Sequence, residues 1–128
     1  MNANWSAYPN FTKAEFDCKH SGKNEMQHSF MAKLQALRTA YGKPLRITSG
    51  YRDATHPIEA RKAKPGAHAT GLAADIGVSH ADAHELLRIA FELGFSGIGV
   101  KQKGSGRFIH LDTIEANQNQ PRPHVWSY

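Results

Sequence analysis

Two short segments combine the alternation of a β-strand with a metal-ligating residue on one of their faces. In segment 72–76 (LAADI) the leucine, the second alanine and the isoleucine share one face, and Asp75 takes the other. In segment 107–112 (RFIHLD), His110 stands between two apolar residues and takes the face opposite to theirs. An apolar strand face packs on a core. The pattern therefore predicts a sheet whose second face carries Asp75 and His110.

Helical patterns surround these strands. Capping residues and apolar spacings of three and four predict three helices, which begin near Thr12, Asn24 and Ser79. The second and third helices are predicted to end at Gly42 and Gly94. Further strands are predicted at 45–48 and 98–100. We therefore predict an α+β fold, with helices packed on one face of a small, mainly antiparallel sheet.

Two segments lack a clear period. Residues 53–67 carry two prolines and one glycine, and we predict a long loop there. The polar tail ends in Trp126 and Tyr128, which we expect to pack back on the domain.

The length of 128 residues is typical of one domain, and we treat 1–128 as a single domain. No apolar run approaches the roughly 18 residues of a membrane span, so none is expected. The first residues lack a secretory signal, and we expect synthesis in the cytoplasm without a signal peptide. The net charge of +5 favours an anionic partner without identifying it. A recognisable nucleic-acid motif is missing, and we expect no nucleic-acid partner.

His68 lies just before the first strand, in a loop that contains Gly66 and Gly71. If the two strands are neighbours, His68, Asp75 and His110 converge. Two imidazoles and one carboxylate, with water in the fourth position, are typical of catalytic zinc sites. The alternative is that Asp75 caps a turn, that His110 is an ordinary strand histidine and that His68 is exposed.

Three motifs carry a resemblance to a known family: Ser49–Arg52 (SGYR), His68–Ile76 (HATGLAADI) and Phe108–Asp112 (FIHLD). Together they resemble the zinc D-Ala-D-Ala carboxypeptidases and related phage peptidoglycan peptidases, over roughly residues 11–128. The resemblance implies the α+β fold that these enzymes share with hedgehog signalling domains.

Carried over to this sequence, the resemblance implies a Zn²⁺ site formed by three residues: His68, Asp75 and His110. It also implies that Arg52 binds the substrate or polarises its scissile carbonyl, with Ser49 and Tyr51 contacting the substrate beside it. A guanidinium is always charged and can bind a carboxylate or an oxyanion. The alternative for Arg52 is a structural salt bridge.

The general base departs from the family pattern. Some relatives have a carboxylate three residues before the last ligand, and others have a histidine two residues before it. Arg107 and Phe108 stand there instead, and neither accepts a proton from water at neutral pH. Asp112 is the first candidate, either as the catalytic base or as a partner that orients His110. Weaker candidates for the base lie in loops: Glu59, His56 and His124.

The function expected from the resemblance is hydrolysis of peptidoglycan stem peptides by a monomeric zinc peptidase. Carboxypeptidase and endopeptidase types both remain open, as does the bond that is cut. We expect a phage lysis enzyme or a virion-associated hydrolase that acts at the cell wall, in the periplasm or as part of a virion. The alternative is a non-catalytic zinc-binding module that binds cell-wall peptide or a protein partner.

Overall fold

The computed structural model describes residues 1–62 and 66–128. The α-helices are α1 (Lys13–Phe16), α2 (His28–Tyr41), α3 (Pro57–Ala60) and α4 (His80–Leu93). The strands are β1 (Arg46–Ser49), β2 (Ala73–Gly77), β3 (Gly97–Lys101), β4 (Phe108–Asp112) and β5 (His124–Ser127). Short 3₁₀ helices cover Trp5–Ala7 and Ala67–Thr70. Within the described ranges, none of the helices has the length and apolar character needed to cross a membrane.

The five strands form one mixed sheet in the order β1-β2-β4-β3-β5. Of the four pairings among the described strands, three are antiparallel, and that of β3 with β5 is parallel. The predicted α+β fold with a mainly antiparallel sheet is therefore confirmed. One lateral row crosses all five strands, and we call it the central row; it consists of Ser49, Asp75, His110, Gly99 and Trp126.

The hydrophobic core lies between the sheet and the pair of long helices, α2 and α4. Apolar strand residues facing the helices are almost fully buried: Ala74, Ile76, Ile98, Ile109 and Leu111. They share the core with helix residues such as Phe30, Leu34 and Leu86. Full burial of one large apolar side chain contributes roughly 1.5–3 kcal/mol. The helices thus cover one face of the sheet, and the face that carries Asp75 and His110 is left for the polar groups.

The helix ends match the sequence patterns except at one point. The Thr12 N–H donates to the Glu15 carboxylate at 2.8 Å, which confirms the predicted capping interaction. Helix α2 begins at His28, however, so the predicted start at Asn24 is wrong. The Asn24 side chain accepts a hydrogen bond from the Met26 N–H at 3.0 Å and thereby forms a turn before the helix.

The two aperiodic segments contain some regular structure. The predicted loop at 53–67 includes the single-turn helix α3, while its residues 63–65 lie outside the described residues. The tail packs back as expected, since β5 pairs with β3 and the Tyr128 ring lies 5.0 Å from that of Phe108. Residues 124–127 therefore form a regular edge strand of the sheet.

A close approach of two chain segments at Gly71 positions the segment that carries His68. Gly71 has a φ of 76°, and a Cβ there would collide with the backbone carbonyl of Glu25. The Gln27 N–H also donates to the Gly71 carbonyl at 2.9 Å. Only glycine tolerates both the positive φ and the close approach of the Glu25 carbonyl without strain.

Replacing Gly71 by alanine should therefore destabilise the fold more than the same change at Gly42. Gly42 has a matching φ of 77° but open space where a Cβ would stand. Gly42→Ala should cost about 1–2 kcal/mol, from the left-handed backbone alone. The collision should add about 1–3 kcal/mol in Gly71→Ala. Urea unfolding of both variants measures the difference, and equal losses would contradict this account of Gly71.

Candidate metal centre

His68, Asp75 and His110 converge on the face of the sheet opposite to the core. Their ligand atoms all lie within 4.8 Å of one another. Asp75 Oδ1 is 3.3 Å from His68 Nε2 and 3.1 Å from His110 Nδ1. Asp75 and His110 face each other on adjacent strands, and His68 comes from the 3₁₀ helix just before β2. All three are buried, with exposed fractions of 6%, 7% and 2% in chain order.

Hydrogen bonds around the two histidines determine which ring nitrogens point into the centre. His68 Nδ1 donates to the Gly50 carbonyl at 2.9 Å, and His110 Nε2 donates to Asp112 Oδ2 at 2.7 Å. Both partners accept only, so these nitrogens carry the hydrogens. His68 Nε2 and His110 Nδ1 are then left to bind a metal. A second partner that fixes the ligating tautomer is usual for metal-bound histidines.

Asp75 is held as a carboxylate although it is buried. Burial raises its pKa, but before a metal takes the place of their protons the protonated imidazoles of His110 and His68 donate to Asp75, which outweighs burial and holds the pKa well below its usual range. The Arg52 guanidinium adds positive charge, with Nη2 3.9 Å from Asp75 Oδ2. The centre therefore offers one anionic oxygen and two imidazole nitrogens, a donor set that fits zinc.

The Ser49–Arg52 segment passes so close to α1 that it brings Arg52 to this centre. A Cβ on Gly50 would lie 2.6 Å from the Phe16 Cα, so glycine is needed at this position. The Tyr51 N–H donates to the Phe16 carbonyl at 2.9 Å, and the Arg52 N–H donates to the His68 carbonyl at 3.2 Å. These bonds connect the segment to α1 on one side and to the His68 segment on the other.

The sequence model of the family described as Peptidase M15 matches residues 9–112, which is more than half of the chain. The chain belongs to the peptidase M15 family. The resemblance to zinc D-Ala-D-Ala carboxypeptidases is thereby confirmed, and metallopeptidases of this family use zinc. No curated protein matches the chain. The match contains all three converging residues, whose role as zinc ligands stays a prediction.

Of the two predicted substrate contacts beside Arg52, only Ser49 lies in the central row. Ser49 is the strand partner of Asp75, next to an irregularity in the β1–β2 register. Tyr51 is buried in the core, and its hydroxyl donates to Glu25 Oε2 at 2.6 Å. Burial and this hydrogen bond raise the pKa of Tyr51. These contacts anchor the Ser49–Arg52 segment through Tyr51, and the contact of Tyr51 with substrate stays a prediction.

Asp112 lies against the edge of the His110 ring that points away from Asp75. Besides the bond from His110, its carboxylate accepts from the Ile114 N–H at 3.2 Å and from Arg122 at 3.0 and 2.8 Å. Burial raises the pKa of Asp112, but the hydrogen bonds from His110 and Arg122 have the larger effect together and lower the pKa to about 2. Because the side chain is fully buried and both oxygens are engaged, these contacts favour the orienting role over that of base.

The three weaker candidates for the base each contact another group of the chain. Glu59 is buried and accepts from the Gly66 N–H at 2.7 Å and from Lys62 at 3.0 Å. His56 accepts from the Ile58 N–H at the start of α3. His124 is exposed and stacks on Trp126, with ring centroids 5.5 Å apart. Each of the three thus has a contact of its own in the structure, and their candidacy as the base stays a prediction.

Sequence reasoning missed Arg122, which binds Asp112, and the role of Gly97 and Gly99. A Cβ on Gly97 would collide with the Asp112 carboxylate, and one on Gly99 would lie 2.6 Å from Trp126 Nε1. Two glycines at a spacing of two put both on one strand face, which is the face of His110. Glycine inside a strand often marks a close approach, and this signal is visible in the sequence.

The wild-type protein should bind one zinc ion, and His68→Ala should weaken zinc binding by more than about 100-fold. The loss should exceed the roughly 10–100-fold typical for a partner of a ligand, because a ligand itself is removed. His84→Ala, an exposed change on α4, is the matched control and should leave the affinity unchanged. Competition with a chromophoric chelator measures the affinity. Wild-type affinity in His68→Ala would contradict the assigned ligand set.

Proposed function

We propose that this M15 peptidase hydrolyses peptide bonds in peptidoglycan stem peptides, as a zinc-dependent D-Ala-D-Ala carboxypeptidase or endopeptidase. The observation that carries the proposal is a buried centre of two imidazoles and one carboxylate with an arginine beside it. Three protein ligands leave a fourth position for water or substrate, as catalytic zinc sites require.

Bound zinc supplies the polarisation of the scissile carbonyl and the acidification of water. The chain supplies the orientation of the ligands. Gly50 and Asp112 hold the rings of His68 and His110 by their distal nitrogens, so both rings present a fixed nitrogen to the centre. Such preorganisation limits the reorganisation needed during reaction.

Arg52 is the residue we propose for holding the substrate. Its guanidinium nitrogens lie 3.9 Å from Asp75 and 3.9 Å from Glu59, beyond the roughly 2.7–3.2 Å of a direct hydrogen bond. Glu59 already accepts bonds from Gly66 and Lys62. As far as residues 1–62 and 66–128 are concerned, the donors of Arg52 are thus free to bind a substrate carboxylate or a developing oxyanion.

A second candidate function is a zinc-binding module without catalysis. The observation that favours it is the engagement of Asp112 and Glu59, the two carboxylates that sequence reasoning offered as base. Such a module would bind a cell-wall peptide or a protein partner through the same centre.

The setting is proposed from the resemblance to phage peptidoglycan peptidases. We propose that the protein acts at the cell wall as a monomer, in phage lysis or as a virion-associated hydrolase. The net charge of +5 supports contact with an anionic polymer such as the wall.

Digestion of purified peptidoglycan with zinc-loaded protein should give products that disappear when a chelator is added. Mass spectrometry then identifies the bond. Free D-Ala indicates a carboxypeptidase, whereas separated cross-linked stems or released stem peptides indicate an endopeptidase. A folded, zinc-bound sample that yields no products would reject the peptidase and support the binding module.

Arg52→Ala should lower the rate of this hydrolysis by about 100–1,000-fold, the usual loss when one donor to an oxyanion is removed. Zinc affinity should be unchanged, because Arg52 is not a ligand. A rise in KM alone would assign Arg52 to a substrate carboxylate, and a fall in kcat would assign it to the oxyanion. The control is Arg88→Ala on the exposed face of α4. Full activity in Arg52→Ala would contradict the proposed role.

A further inference from the structure

A segment beyond the part of the chain that the family model matches contacts the metal centre. The match ends at residue 112, whereas Arg122 and Trp126 lie on the tail that forms β5. The parallel pairing of β5 with β3 puts Trp126 in the central row, two strands away from His110. The centre is therefore bordered by residues that the family match leaves out.

Arg122 binds Asp112 through two nitrogens of its guanidinium. Nε donates to Oδ1 at 3.0 Å and Nη2 donates to Oδ2 at 2.8 Å. The Arg122 side chain is only 7% exposed and that of Asp112 is fully buried. A two-point bond of this kind fixes the plane of the carboxylate. Since Oδ2 also accepts from His110 Nε2, Arg122 fixes the acceptor that orients the His110 ring.

Trp126 packs against both His110 and Arg122, the two residues that Asp112 connects. Its ring centroid lies 5.1 Å from that of His110, and the Arg122 guanidinium carbon lies 5.2 Å from the Trp126 ring. The second contact is a cation–π interaction. The indole reaches His110 across Gly99, where a Cβ would lie 2.6 Å from Trp126 Nε1. The absence of a side chain at Gly99 is thus a condition for this packing.

We propose that the segment 122–126 completes the metal centre. Arg122 is a positioning residue that acts through Asp112 to keep His110 Nδ1 directed at the metal, and Trp126 holds both Arg122 and the His110 ring in place. The inference rests on the zinc site of the proposed function. It does not require turnover, because zinc binding is measured on its own.

The test is the zinc affinity of Arg122→Ala and Arg122→Lys in the full chain, measured by competition with a chromophoric chelator. Arg122→Ala should bind zinc about 10–100-fold more weakly, as is usual when the partner of a ligand is disturbed. Arg122→Lys keeps the charge but not the two-point geometry, so its affinity should be intermediate. The visible spectrum of each variant saturated with Co²⁺ should differ from that of the wild type, because the position of His110 changes.

A second variant reaches the same contacts without changing a charge. Gly99→Ala should push the indole away from His110 and weaken zinc binding in the same direction. Arg88→Ala, which also removes an arginine bound to carboxylates, should leave zinc affinity and the Co²⁺ spectrum unchanged. Circular dichroism of each metal-free variant checks the fold, and if Arg122→Ala fails to fold, the other two variants decide.

Zinc affinity within about twofold of the wild type in these variants, with an unchanged Co²⁺ spectrum, would overturn the inference. A wild-type protein that binds zinc but cleaves nothing would overturn the peptidase proposal and leave this inference standing. A wild-type protein that binds no zinc would overturn both.

Discussion

The Asp75 carboxylate is buried in the middle of the sheet, and much of the surrounding structure compensates for its charge. A buried carboxylate is unfavourable unless charged or hydrogen-bonding groups surround it. Here two imidazoles lie within 3.3 Å and a guanidinium lies at 3.9 Å. Each of those groups comes from a different segment of the chain, so the position of Asp75 connects the segment after β1, the 3₁₀ helix Ala67–Thr70 and β4.

Glycine makes this convergence possible by letting main chains and large side chains approach closely. Gly50 lets the Arg52 segment pass along α1, and Gly71 lets the His68 segment pass along residues 25–27. Gly99 leaves room for the indole of Trp126. The His68 and His110 rings, by contrast, are held by hydrogen bonds to a carbonyl and a carboxylate. The glycines thus determine how closely the segments approach one another, and the hydrogen bonds determine how the two imidazole rings are oriented.

Much of the fold could be predicted from the sequence because the signals for it are local. Alternation in β2 and β4 put Asp75 and His110 on one face, and capping patterns found three of the helices. Asn24 misled the prediction, because its side chain is equally suited to a turn that precedes a helix.

The part of the site formed by the tail could not be predicted in the same way. Strand β5 pairs in parallel with β3, whose residues lie 27 positions earlier in the chain, and no local pattern encodes such a pairing. In the sequence, Arg122 therefore could not be distinguished from the other basic residues of this basic chain. The two hydrogen bonds from Arg122 to Asp112 become apparent only when β3, β4 and β5 are assembled side by side.

The order of the strands has a consequence for how the protein fluctuates. Asp75 and His110 lie on β2 and β4, which are interior strands, while β1 and β5 form the two edges. Edges of a sheet open more readily than its interior in native-state exchange. Fraying of β5 would release the indole and the guanidinium while the Asp75–His110 pair stayed intact. The lifetime of a bound metal ion would then be limited by the opening of the edge strand, well before the domain unfolds.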